Sequence, residues 1–413
     1  MIKDIARVLG SGVGAQAIYL CALPLIARLY GPSEYAPYGI FVALLNLSVI
    51  GLTLKWEIAL AYKKESKEIE AFVNSFWVLI LFATFLGAGA LSLSFFLLDP
   101  YKFKFALYIL ISAVTLAIYN LLEMYLVKVR EFLLLAVSRF CKVISLVGLQ
   151  LLIPAIMGES SWDMLVVSHF ISMSLGVIIL FLMGSRSRFI AVKILPSRRV
   201  NIKESIREFK AERTHLYFNA PQAFLNSLSK TMPYLVLPAA GGASIIGIFS
   251  MADRLIRAPL SVVSNTIKQV VTVSAGVDLK EAYLNTRKMV FAIAIVSLPL
   301  LMVSYIYIDM LAEWIFGHDW RGLGTVIWYL CLYAVGSTLA LPYLAINRAL
   351  KYHKALAMYE LLSMVLKALT LALVAFNLGT LAAIKVYGVL CLLIYLTFAI
   401  VSDFAVARKI KLQ

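Results

Sequence analysis

Acidic residues are scarce in this chain. Asp and Glu number 22 against 38 Lys and Arg, and charged residues of both signs occupy only 15% of the 413 positions. A water-soluble fold carries about 25% charged residues to cover its surface, so a soluble globular protein is excluded. Cysteine is also sparse. Cys21, Cys141, Cys331 and Cys391 stand far apart in apolar stretches, with no C-x-x-C pair, which argues against a disulfide framework or a zinc site. His169, His215, His318 and His353 are equally scattered, so no metal-ligand cluster is visible. The phosphate-cradling G-x-x-x-x-G-K-[ST] is missing, as are a nucleophile–base pair and a paired-carboxylate motif. The sequence therefore predicts no enzyme, no cofactor and no bound metal.

Apolar residues take the place of the missing charge. They make up 62% of the chain, and the mean hydropathy is +0.90. Runs long enough to cross a bilayer recur along the whole length. They predict an all-α integral membrane protein with twelve spans, at 11–30, 38–54, 71–98, 105–127, 137–157, 164–183, 218–240, 245–273, 289–308, 325–346, 355–378 and 381–402. The stretch before the first run carries Lys3 and Arg7 but no small-residue cleavage site, so it reads as an uncleaved first helix. The net charge of +16 does not form one patch. It falls between apolar runs, which argues against a nucleic-acid partner. Basic residues crowd one set of connections: Lys55, Lys63, Lys64 and Lys67; Lys128 and Arg130; Arg186 to Arg213; Lys280, Arg287 and Lys288; Arg348, Lys351 and Lys354; and the tail. The opposite set holds only Lys102, Lys104 and Arg321. The positive-inside rule and the even span count place both termini in the cytoplasm.

The longest polar segment separates two six-helix lobes, 1–184 and 218–413, with a cytoplasmic linker at 185–217. Within it, Ile202 to Phe209 has the apolar spacing of a surface-lying amphipathic helix, and a solvated linker is the alternative. Gly39-Ile40-Phe41 opens the second span and Gly247-Ile248-Phe249 the eighth, 208 residues later. The match falls at the same topological place in each half, as in a parallel-repeat transporter. Pro24, Pro221, Pro233, Pro259 and Pro342 lie in or near spans, as bending points or as packing features. Trp162, Trp314 and Trp320 lie near outer ends, as an interfacial belt or as platforms for sugar rings.

Four cations, Lys230, Arg254, Arg257 and Lys367, lie near mid-span. Each facing lipid would cost about 2.5–3.5 kcal/mol. They are expected to face a wet or ligand-filled interior instead, which points to an anionic substrate. Arg254 and Arg257 share one helical face, and Asp253 is placed to pair with Arg257 at i,i+4. Arg28, Lys268 and Lys385 lie nearer helix ends, as substrate contacts or as snorkelling side chains. Arg139 and Lys142 share a face near the cytoplasmic end of the fifth span, as an entrance for an anionic head or as orientation signals. An ion-coupled carrier needs a titrating or cation-binding group, and intramembrane carboxylates are the usual choice. The candidates are Glu57, Asp253, Glu123 and Glu360.

Four segments resemble one family. ALPLIARLYGPSEYAPYGIF (22–41) has Arg28, Gly31-Pro32, Glu34 and Gly39. LKWEIALAYKKESKE (54–68) has a basic–aromatic–Glu run followed by Ile-Ala. GIFSMADRLIRAPLSVVSNTIKQV (247–270) has a mid-span Pro259, and IFGHDWRGLG (315–324) has Phe-Gly, then Asp319-Trp320-Arg321. Together they resemble the polysaccharide-exporting flippases of the MOP superfamily, most closely the O-antigen (Wzx-like) type. The resemblance implies a cargo: an oligosaccharide on undecaprenyl diphosphate, moved from the cytoplasmic to the outer leaflet of a bacterial inner membrane. It implies two lobes that rock about a central cavity, driven by a proton or sodium gradient. Membrane lipids, a polysaccharide polymerase and its chain-length machinery are the implied partners. It ranks Glu57 first among the acids. Two related readings stay open, a MATE-like exporter of cationic drugs and a flippase of a lipid-linked peptidoglycan precursor. A glycosyltransferase or polymerase with many spans would need a large outer loop or a loop of catalytic acids, and the outer connections here are short.

Overall fold

The structure is a computed structural model. It describes all residues except 1, 64–65, 95–98, 187–201, 214, 278, 351 and 412–413. The described residues form thirteen α-helices and no strand: α1 (Ile2–Leu29), α2 (Pro32–Thr53), α3 (Ser66–Ser94), α4 (Pro100–Val129), α5 (Phe132–Met157), α6 (Trp162–Arg186), α7 (Ile202–Ala211), α8 (Ala220–Ala239), α9 (Ala243–Val277), α10 (Leu279–Phe316), α11 (Leu323–Ala349), α12 (His353–Leu378) and α13 (Thr380–Lys411). A 3-10 turn, Trp56–Tyr62, links α2 to α3. All helix is the expected outcome in lipid, where a helix satisfies its own backbone polar groups.

Every span expected from the sequence coincides with a long helix. Ten of these twelve are long and apolar enough to cross a membrane, and α8 and α9 are the two that are not. The reason lies in their side chains: α8 contains Asn226, Ser227, Ser229 and Lys230, and α9 contains Asp253, Arg254, Arg257 and Lys268. The ninth expected span, 289–308, is the middle of a 38-residue helix. At 1.5 Å per residue α10 is about 57 Å long, well beyond a hydrocarbon core of about 30 Å. Helix-forming residues such as Lys280, Glu281, Leu311 and Ala312 extend it at both ends without interruption.

Helix ends follow local chemistry. Asp99 caps α4 by accepting from the Lys102 amide at 2.9 Å, with Pro100 at the first helical position. That backbone hydrogen bond, together with the Lys102 ammonium, holds the Asp99 carboxyl below its ordinary value. Asp309 does the same for α11 from a distance in sequence, accepting from the Thr325 amide at 2.6 Å and the Thr325 hydroxyl at 2.9 Å.

The chain packs as two compact units. Unit 1 comprises Met1–Ala22 and Ile40–Thr231, and unit 2 comprises Leu23–Gly39 and Met232–Gln413. The core of unit 1 gathers Trp56, Phe72, Phe76, Tyr119, Leu122 and Leu135. In unit 2, α11 packs against α9, α10 and α13, with Ile346, Tyr343 and Val406 in one cluster. The division departs from the expected lobes at two places: the α1–α2 turn packs with unit 2, and the first part of α8, through Thr231, belongs to unit 1. The glycines of the repeated Gly-Ile-Phe motif explain the first. A Cβ on Gly247 of α9 would overlap the Pro32 carbonyl at the start of α2, and a Cβ on Gly39 of α2 would overlap the Ser250 side chain of α9. Small residues thus let two backbones approach closely, as at membrane helix interfaces generally. Trp320 reinforces the contact. It is 1% exposed and donates its indole N–H to the Ala27 carbonyl at 2.8 Å. The expectation that Trp320 forms a surface belt or a sugar platform is corrected by that burial. Trp314 is 77% exposed, which fits either reading.

Candidate functional site

The interior of unit 2 contains a chain of charged side chains and tyrosines. It begins on α8, where the Tyr234 hydroxyl donates to Asp253 Oδ2 at 2.8 Å. Asp253 Oδ1 takes the Arg257 Nε–H one turn further along α9. The Arg257 guanidinium lies 5.6 Å from the ring centre of Tyr333 on α11. Tyr333 meets Tyr395 of α13 edge-on at 5.9 Å. The Lys367 ammonium of α12 sits 4.6 Å from the Tyr395 ring centre and 3.5 Å from its hydroxyl. Beside this chain, Arg254 lies 4.6 Å from the ring centre of Tyr38 and 5.5 Å from that of Tyr35. Each cation therefore packs on a tyrosine face. Such contacts are worth about 0.5–1 kcal/mol when exposed and about 2 or more when desolvated, which offsets part of the burial cost.

The arrangement sorts the sequence candidates. Arg254, Arg257 and Asp253 come together on α9, the first two half-buried. Lys367 is 4% exposed and joins them through Tyr333 and Tyr395. Glu360 is buried on the same face of α12 two turns earlier. Lys230 is exposed and belongs to unit 1. The Lys268 side chain lies outside the described residues. Arg28 serves the fold, donating to the Trp314 carbonyl at 3.2 Å and the Ile315 carbonyl at 3.3 Å. It thereby closes the C-terminal turn of α10, where cations are favoured. Lys385 lines a separate recess of about 520 Å³ with Asp309, Tyr305, Trp328 and Tyr329.

Unit 1 holds a smaller polar group. Arg139 Nε–H donates to Glu123 at 2.9 Å, and the Lys142 ammonium lies 3.9 Å from the Tyr119 ring centre. Glu57 is 3% exposed, with Lys55 at 3.7 Å from Oε1 and, among the described residues, no hydrogen-bond partner on Oε2. Leu54 and Lys55 before it both have left-handed backbone, an unfavourable state for side chains with a Cβ. Next to Glu57, Trp56 stacks on Phe72 at 5.4 Å and donates to Ser75 at 3.0 Å, and Lys128 donates to the Leu60 and Lys63 carbonyls. The basic–aromatic–Glu run is thus a fixed node at one end of unit 1.

The tyrosines are what sequence reasoning missed. Tyr333 and Tyr395 lie well inside α11 and α13, not at the ends where an interfacial belt forms, and that interior position was the available signal.

The fold is that of the MATE-like transporters of the MOP superfamily. The chain is similar to an inward-facing multidrug-resistance MATE family transporter of that superfamily (TM-score 0.70, 14% identity, 96% of this chain and 96% of that one). It is also similar to the lipid II flippase MurJ in an inward closed conformation (TM-score 0.62, 12% identity, 98% of this chain and 90% of that one). A comparison with curated protein sequences found no match. The profile of the family described as "Polysaccharide biosynthesis protein" matches residues 25–325, and the chain belongs to that family.

Proposed function

We propose that this multi-pass membrane protein flips a lipid-diphosphate-linked oligosaccharide across a bacterial inner membrane, from the cytoplasmic to the outer leaflet, with both termini cytoplasmic. Membership in a polysaccharide biosynthesis family supports a glycan cargo. The observation that carries the reading is the composition of the unit 2 chain: Arg254, Arg257 and Lys367 on tyrosine faces, with Asp253 already engaged by Arg257. Arg offers paired donors to phosphate oxygens and Lys a mobile charge. The diphosphate engages Arg254 and Arg257. A cationic-drug exporter is disfavoured by the same chain, since its central carboxylate is neutralised.

Ion coupling resides on Glu57 in this reading, ahead of Asp253, Glu123 and Glu360. Its Oε2 is buried without a hydrogen bond among the described residues, a condition that costs about 1–3 kcal/mol. Arg139 and Lys142 serve the entering head group. Export of the glycan by cells carrying Arg254→Gln with Arg257→Gln tests the site. Charge-assisted contacts are worth about 1.5–3 kcal/mol each, so the double variant loses about 100-fold or more in flipping while still inserting in the membrane. Wild-type export would refute the role.

A further inference from the structure

Docking sorts the charges of α7. One face, made by Ser205, Glu208, Phe209 and Glu212, turns inward. Glu208 and Glu212 accept Lys63 Nζ at 2.7 and 3.1 Å, Phe209 packs 4.9 Å from Trp56 between ring centres, and Ser205 is buried. Two of the segment's three acids are thereby consumed. The rest of the circumference is exposed: Lys203, Arg207 and Lys210 in one stripe at i, i+4 and i+7, then Arg213, with Glu204 the remaining acid. Between the docked face and the basic stripe stand Ile202 and Ile206, 63% and 48% exposed. An isolated exposed isoleucine needs no explanation. Two at i,i+4 beside four basic residues form the apolar and cationic sectors of a helix that lies on a bilayer.

The position agrees. Trp56 and Lys63, to which α7 is fastened, lie in the connection between the spans α2 and α3, so the helix is held at the level of the membrane surface. We infer that α7 binds the anionic phospholipid headgroups of the leaflet beside that connection, with Arg207, Lys210, Arg213 and Lys203 on the phosphates and Ile202 and Ile206 at the acyl-chain boundary. Each basic side chain near an anionic surface strengthens such binding about five-fold. The tie to Lys63 holds the helix in place, so the ordering cost of binding is already met.

The test is amide hydrogen exchange of 202–213 in the full-length protein, reconstituted in phosphatidylcholine vesicles with or without about a third phosphatidylglycerol. Anionic vesicles are expected to slow exchange in this segment at least ten-fold, high salt to reverse the effect, and Arg207→Gln, Lys210→Gln and Arg213→Gln together to abolish it. Equal exchange in both vesicles at low salt overturns the inference, as does a slowing that survives high salt. Should the triple variant fail to reconstitute, the salt titration of the unaltered protein decides alone. The readout is independent of the cargo, so a failure of the flippase reading leaves it intact.

Discussion

Lys367 illustrates how much of the site is written in single residues. Its position in the middle of an apolar run marks it in the sequence, because facing lipid there would cost about 2.5–3.5 kcal/mol. Its partner is not legible there, since Tyr395 lies 28 residues away on another helix. The same holds for Arg254 with Tyr38 and Arg257 with Tyr333: the cations stand out by composition, while the rings that receive them look like ordinary membrane tyrosines. Asp253 and Arg257 were legible together because helix geometry alone joins i and i+4. Two substitutions separate function from stability at this scale. Lys367→Met removes a buried charge and keeps the volume, so the thermal midpoint is expected to hold or rise, while flipping in liposomes falls at least ten-fold. A fall in both would assign Lys367 to the fold alone. Glu57→Gln is expected to leave slow, gradient-independent exchange of the cargo and to remove its acceleration by an ion gradient. Unchanged gradient dependence would exclude Glu57 as the coupling group.

At the scale of elements, apolar runs gave the long helices directly, whereas their ends and contacts depended on tertiary partners. The apolar run at 245–273 marks α9 in the sequence, but the helix is less apolar than the ten that are long and apolar enough to cross a membrane, and it carries the cationic cluster. The repeated Gly-Ile-Phe motif was visible as a repeat, but its physical reason, the close approach of α2 and α9, exists only in three dimensions. Gly247→Ala pushes a methyl into the Pro32 carbonyl. Overpacking of this kind costs about 1–3 kcal/mol or more, so the variant is expected to unfold at lower temperature, as read by a thermal scan in detergent. Docking of α7 has a pH dependence set by Lys63. Burial lowers its pKa, but hydrogen bonds to Glu208 and Glu212 outweigh burial and hold the ammonium above its ordinary value of 10.5. A raised lysine pKa stabilises docking fully below the ordinary value and loses that contribution as pH rises through the higher one. Protection of 202–213 on neutral vesicles is therefore expected to stay level from about pH 6 to 9, and Lys63→Met is expected to reduce it throughout.

At the scale of the whole molecule, composition alone excluded a soluble protein, and the four family-like segments pointed to the superfamily whose fold the structure has. The two packing units were less legible. Sequence order suggests a division after the sixth span, while Leu23–Gly39 packs with unit 2 because Gly39, Gly247 and Trp320 bind the α1–α2 turn there. No local pattern announces a contact between segments so far apart in the chain. The nature of the cargo belongs to this scale too, since it depends on the summed charge of helices from several parts of the chain.

The central claim is tested most directly by reconstitution in liposomes. A fluorescent undecaprenyl-diphosphate oligosaccharide is placed in one leaflet, and its exposure on the other is followed under an imposed proton or sodium gradient. The account predicts exposure that accelerates with the gradient and is lost in the Arg254→Gln, Arg257→Gln protein. Exposure no faster than in protein-free vesicles, with the protein shown to be folded, would contradict it.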